Sequence, residues 1–345
     1  MSYALNIQQA NAVLDEIRKD YTVFAPKRFP KQGRYSDTDI IRYAEISRFE
    51  DIVWDTKSDY PAKEVLTPIQ QAIFYFTEDE YRESKGPKKP YLVLARPCDI
   101  AAQHVQQKIY AGNGGYTDVY YERVRKLVRF AMMECNGGDD TCFCVSMGTN
   151  RTDDYSLALK FSSEGVKVQV TDDDFTGYFK ECPKAKYTPS FVEENELKVT
   201  VPDLDNAEVR KALKTHPMWN EYNSRCISYG ACTVACSTCT CFTTRDVIYG
   251  DNPEVGERRR VTSSCQIEGF DQMAGQKEMR STAAARMRFK VLHKFHDYKA
   301  RFGDSHMCVG CGRCMHRCPE FISIAATVNK MSRAVEEIKA GMAEG

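Results

Sequence analysis

Four cysteines near the C-terminus carry the strongest chemical signal in the chain: Cys308-Val-Gly-Cys311-Gly-Arg-Cys314-Met-His-Arg-Cys318-Pro319. This is the C-x2-C-x2-C-x3-C-P spacing of [4Fe–4S] ligation. Three thiolates set two residues apart, with Gly310 and Gly312 between them, wrap a tight turn around three corners of a cube. The N–H groups of that turn can then face the sulfides. The fourth cysteine points away, and in two-cluster proteins it serves the other cluster. Zinc is the rival guest, but it usually takes two separated pairs that close a tetrahedron.

The motif asks for a partner, and Cys226-Ile-Ser-Tyr229-Gly-Ala-Cys232-Thr-Val-Ala-Cys236-Ser-Thr-Cys239-Thr-Cys241 supplies one. On the same template Cys226, Cys232 and Cys236 take the first, third and fourth places. Tyr229 stands where the second cysteine belongs, and Ser237 where the proline belongs. Crossed ligation assigns Cys308, Cys311, Cys314 and Cys236 to one cluster. Cys226, Cys232 and Cys318 then hold the other, one thiolate short. The expected substitute is Cys239, Cys241 or Cys265; a Tyr229 phenolate, or a cluster with an open or lost iron, are the other readings.

Cys98, Cys135, Cys142 and Cys144 form a third group, in loops that follow apolar runs. Their spacing matches no standard ferredoxin run. They are a candidate third cluster, with zinc, a redox thiol and ordinary packing as alternatives. Cys182, beside Pro183, reads as structural. The expected cofactors are two [4Fe–4S] clusters, with a third left open. No nucleophile–base constellation stands out, so no catalytic residue is expected.

The elements that must position these thiols are legible in outline. An amphipathic pattern over residues 5–19 predicts a helix, and SDTDI reads as the entry to another short helix. The runs 91–95 and 127–133 read as buried strands, each ending at a cysteine-bearing turn or loop, and 156–170 as a hairpin around Gly165. Beyond about residue 206 strand signals fade, and 206–215, 271–298 and 322–342 favour helix. The expected fold is therefore an α/β or α+β domain over 1–205. A mostly α-helical, ferredoxin-like domain carrying two [4Fe–4S] clusters follows over 206–345.

Length and composition narrow the class. A chain of 345 residues, 42% hydrophobic and 28% charged, can bury a sizeable core, and 48 basic against 48 acidic residues leave no formal charge. General binding to nucleic acid is therefore not expected. The first twenty residues lack the apolar stretch of a signal peptide, and no run approaches a membrane span. The expected location is the cytoplasm, where fifteen cysteines, thirteen of them in three groups with Cys182 and Cys265 apart, point to metal rather than disulfides. His306 and His316 read as surface residues. The basic stretch Arg280, Arg286, Arg288 and Lys290, with Arg258 to Arg260 nearby, reads as a solvated face, with docking of an acidic partner as the alternative.

The segments RPCDIAA, CFCVSMGTN, CTVACSTCTCF, SSCQIEGFDQMAGQKEMR and CVGCGRCMHRCPE together resemble the iron–sulfur subunits of anaerobic sulfite reductases and of cytoplasmic sulfhydrogenases. GRYSDTDIIRYAEI, CFCVSMGTN and the chain length look most like the iron–sulfur, electron-transfer member of the anaerobic sulfite reductase branch. The resemblance spans nearly the whole chain. It implies an electron-relay subunit of a complex, with a flavoprotein subunit oxidising NADH and a sirohaem subunit reducing sulfite to sulfide. An NAD(P)-linked sulfhydrogenase or sulfur reductase is the close alternative. A stand-alone enzyme working at an open iron is an alternative of another class. The family pattern expects cysteine at 229 and proline at 237, so this chain departs from it at one cluster.

Overall fold

The computed structural model describes residues 1–303 and 305–344. The first half contains β1 (Ser2–Asn6), α1 (Ile7–Asp20), β2 (Thr22–Phe29), β3 (Ile40–Glu45), α2 (Lys63–Leu66), β4 (Gln70–Phe76), β5 (Tyr81–Glu83) and β6 (Tyr91–Ala95). It continues through α3 (Pro97–Tyr110), α4 (Val119–Arg125), β7 (Val128–Met133), β8 (Leu157–Ser162) and β9 (Gly165–Val170). The second half adds α5 (Ala207–Thr215), α6 (Tyr222–Arg225), α7 (Ala231–Val234), β10 (Phe242–Ile248) and β11 (Gly256–Thr262). It ends with α8 (Ala283–Leu292), α9 (Tyr298–Phe302), α10 (Arg313–His316) and α11 (Ile324–Glu344), a π-turn at His293–Asp297 linking α8 to α9.

Seven strands form a mixed sheet in the order β1-β9-β8-β7-β6-β2-β3. Its centre is parallel, since β6 pairs in parallel with both β2 and β7, and β7 with β8. A strand buried on both faces reads as a continuous apolar run, and β6 does so. Leu92 and Leu94 join the core under α1, while Val93 and Ala95 join the core under α3 and α4. Because β6 and β7 run side by side in one direction, the turn after Ala95 and the loop after Met133 leave the same edge of the sheet. That edge carries Cys98 and Cys135, in the crevice outside the carboxyl ends of parallel strands.

Three expectations needed correction. Residues 2–6 form a strand, and the first helix begins only after Asn6, whose side chain accepts from the Gln9 N–H in a reciprocal cap. SDTDI leads into β3, not a helix, because Ile40, Ile41 and Tyr43 pair along β2 and suit a pleated surface. Residues 271–282 turn rather than coil, with Gly275 and Gln276 at positive φ, and the helix starts after Thr282.

A second, antiparallel sheet, β10-β11-β4-β5, shows that strands do not vanish after residue 206. The hairpin β10–β11 was missed because it is polar and half exposed, and it is completed by β4 from the first half of the chain. The two halves are thus interleaved by pairing as well as by contact. A buried ion pair adds to this: Arg313 holds Asp99 through two bonds of 2.7 and 3.0 Å, and both side chains are about 1% exposed. Arg313 also donates to the Ser58 carbonyl and hydroxyl, each at 3.0 Å. No helix among the described residues is long and apolar enough to cross a membrane.

Removing the guanidinium strands a buried carboxylate. Arg313→Met should therefore cost about 3 to 5 kcal/mol in denaturant unfolding. An unchanged midpoint would show that the pair does not bind the two halves.

Candidate metal centres

The turn Cys308–Gly312 owes its shape to glycine. Gly310 and Gly312 both have positive φ, and a Cβ on either would meet backbone of the 141–144 segment at 2.4 to 2.6 Å. The contact is a docking surface: the Phe143 N–H donates to the Gly310 carbonyl at 2.8 Å, and Thr149 Oγ1 to the Val309 carbonyl at 2.7 Å. One close approach therefore seats the loop of the third cysteine group on the turn of the first.

Cys236, Cys308, Cys311 and Cys314 line one cavity, together with Lys290 and Lys294. Cys226, Cys232 and Cys318 line another, with Tyr229, Gln266 and Glu320 on its rim. The sulfurs surround space rather than converge on a point: among the described residues, no three Cys, His, Asp or Glu side chains close to single-ion distance. Four thiols around one cavity fit the four corners of a cubane.

Cys239, Cys241 and Cys265 do not line the second cavity. Cys239 is hydrogen-bonded to Cys236, and Cys241 to Cys265. The latter bond, with help from the Lys290 charge, holds Cys265 at about 5. Tyr229 is 63% exposed at the mouth of that cavity. Tyr229 was placed there by the spacing, whereas Gln266 and Glu320 could not be recognised as neighbours from spacing alone.

The third group also gathers. Cys98 is in electrostatic reach of Cys311 and Cys144, and Cys144 of Cys135. Lys57 Nζ lies 3.7 Å from Cys142 Sγ, and Arg96 Nη1 3.8 Å from Cys135 Sγ. The Asp139 N–H faces Cys142 Sγ at 3.5 Å. Burial pushes the Cys142 thiol up to about 11, against the pull of Lys57. Cys182 stays apart, packed on the core beneath α1.

Sequence reading missed the cations. Buried Lys and Arg outnumber buried Asp and Glu eight to three among the described residues. Arg286 and Lys290 belong to this set, so the stretch read as a solvated face turns part of itself inward. Lys294 Nζ donates to Cys236 Sγ at 3.3 Å, and Lys63 Nζ to the Cys239 carbonyl at 3.0 Å. The hydrogen bond from Cys239, reinforced by Lys294 and Lys63, holds Cys236 well below an ordinary thiol despite its burial. Desolvation pushes the partly buried Cys308 up to about 12. Bonds to iron would remove the protons that burial otherwise favours on thiols such as Cys308.

Ser237, where the template has proline, takes part as well. Its oxygen accepts from Arg313 at 3.2 Å, which leaves the hydroxyl hydrogen free for Cys311 Sγ at 3.3 Å. A chain of contacts thus runs from Asp99, beside Cys98, through Arg313 and Ser237 to Cys311. His316 is exposed, as expected, and His306 is half buried.

The comparisons agree with this geometry. Residues 225–322 match the family model described as a 4Fe-4S dicluster domain. The chain is also similar to sulfhydrogenase 2 subunit beta of Pyrococcus furiosus, 28% identical over 303 residues, covering 81% of this chain and 85% of that protein. No solved structure matches.

Gly312→Ala should push the 141–144 segment off the turn, so that Cys142 and Cys144 become open to alkylation in the native protein, read by mass spectrometry. Gly114→Ala, at a similar φ but in open space, should cost only about 1 to 2 kcal/mol of backbone strain and leave both thiols protected. Equal labelling in the two variants would sever the loop from the turn.

Proposed function

We propose that the chain is the iron–sulfur electron-transfer subunit of a multi-subunit oxidoreductase. The observation that carries this is the cavity walled by Cys236, Cys308, Cys311 and Cys314 and faced by buried ammonium groups. Bound there, a [4Fe–4S] cluster supplies one-electron transfer with little change in geometry. The chain's own residues fix the thiolates, exclude water and balance charge.

Cys226, Cys232 and Cys318 are the proposed ligands of a second cluster, the fourth place falling to an oxygen ligand or remaining open. Cys98, Cys135, Cys142 and Cys144 are the proposed ligands of a third. The docking of 141–144 on 308–312 sets the third group against the first. Cys318 follows Cys314 by four residues, just past the end of α10, and ties the second group to the first along the chain. The first centre is therefore the natural middle of a relay.

Between the two complexes the resemblance allows, the similarity to a sulfhydrogenase beta subunit favours the sulfhydrogenase type. Sulfite reduction is the second reading. It rests on the CFCVSMGTN and GRYSDTDIIRYAEI segments, with flavoprotein and sirohaem subunits as partners. Purified alone, the chain should pass electrons to a dye and leave sulfite untouched.

Anaerobic preparations should be brown, with iron and acid-labile sulfide near parity. About eight irons per chain correspond to two clusters and about twelve to three. Cys311→Ser should remove about four irons and Cys98→Ser a further set if the third centre is real. Full iron in Cys311→Ser would refute the ligand assignment, and sulfite turnover by the isolated chain would refute the subunit role.

A further inference from the structure

The three centres differ in the charges that face them. Lys290 and Lys294 are four residues apart and share one face of their helical segment. Both are buried, and both line the first cavity. Two ammonium groups side by side repel one another, and their loss of hydration adds to the cost. The fold nevertheless aims them there. Lys294 lies in the π-turn His293–Asp297, an uncommon insertion that recurs at functional sites. Its Nζ donates to Thr238 Oγ1 at 3.0 Å as well as to Cys236 Sγ.

The buried carboxylates among the described residues are engaged elsewhere. Asp99 is held by Arg313, Glu134 by Lys160 and Tyr187, and Glu257 by Arg259 and Tyr249. The groups that draw on Lys290 most strongly are the sulfurs of Cys232, Cys239, Cys314 and Cys265.

At the other centres the buried cations are shared with a second group or offset by a carboxylate, and Lys290 itself also acts on the second through Cys232. At the second, Cys318 Sγ receives the Ile322 N–H at 3.4 Å, and the Glu320 carboxylate stands at the rim. At the third, Lys57 and Arg96 both face sulfurs, but the Asp139 carboxylate takes Lys57 at 2.7 Å and leaves one cation unmatched. Adding an electron to a cluster adds negative charge, and a fixed cation nearby stabilises the reduced form more than the oxidised one.

We propose that Lys294 and Lys290 hold the Cys236–Cys308–Cys311–Cys314 centre at the highest reduction potential in the chain, so that electrons collect there between transfers. Both lysines act through the ligand sulfurs and are positioning residues. The inference rests on the electron-transfer reading above and adds the order of potentials to it.

The test is iron analysis followed by EPR-monitored redox titration of the anaerobic full chain as wild type, Lys294→Met, Lys294→Arg and Lys290→Met. With iron retained, the highest midpoint should fall in Lys294→Met. It should fall less in Lys290→Met and return toward wild type in Lys294→Arg, while in Lys294→Met the other midpoints move less. Lys290 makes no direct bond to Cys236, so its variant tests the same field if Lys294→Met loses its cluster. Full iron with an unmoved highest midpoint in Lys290→Met, or in Lys294→Met, overturns this inference alone. A wild-type protein without iron overturns the electron-transfer reading as well.

Discussion

Buried positive charge must be answered by negative charge. A lysine or arginine gives up several kcal/mol of hydration on leaving water, and eight such side chains are buried here against three carboxylates. The whole chain is formally neutral, so the imbalance is a matter of placement. The excess is concentrated around cysteine: Lys294 at Cys236, Lys57 at Cys142, Arg96 at Cys135, and Lys290 among four sulfurs. On the proposed reading thiolates bound to iron would supply the missing anions, and the interior would be a socket for an anionic guest.

The same constraint explains why the two halves of the chain cannot be separated cleanly at the sequence level. The parallel strands β6 and β7 deliver Cys98 and Cys135 to one sheet edge, and the glycine turn of the C-terminal motif docks onto the loop that follows β7. Arg313 sits between, tied to Asp99, Ser58 and Ser237. The docking and the Arg313 bonds each join residues more than seventy positions apart, and each ends next to a cysteine.

Much of this was legible beforehand. The spacing pointed to Cys236 as a companion of Cys308, Cys311 and Cys314, and the four line one cavity; the strands at 91–95 and 128–133 follow from predominantly apolar runs. The hairpin β10–β11 was not legible, because its strands are polar and acquire their partner from β4. Nor was the inward turn of Lys290 and Lys294: a helix rich in Lys and Arg looks solvated until the opposing face is known to be made of sulfur. Ser237 looked like a lost proline and instead offers a hydroxyl to Cys311. Tyr229 looked like a gap to be filled by another thiol, yet it stands exposed at the cavity mouth. Such side-chain roles depend on long-range neighbours that spacing does not encode.

These sulfurs, on this reading, surround iron cubanes rather than single ions. X-ray absorption at the iron edge of the anaerobically purified chain tests that directly. A sulfur shell accompanied by a short iron–iron shell is the expected result. A sulfur shell with no metal neighbour, or zinc in place of iron, would contradict it.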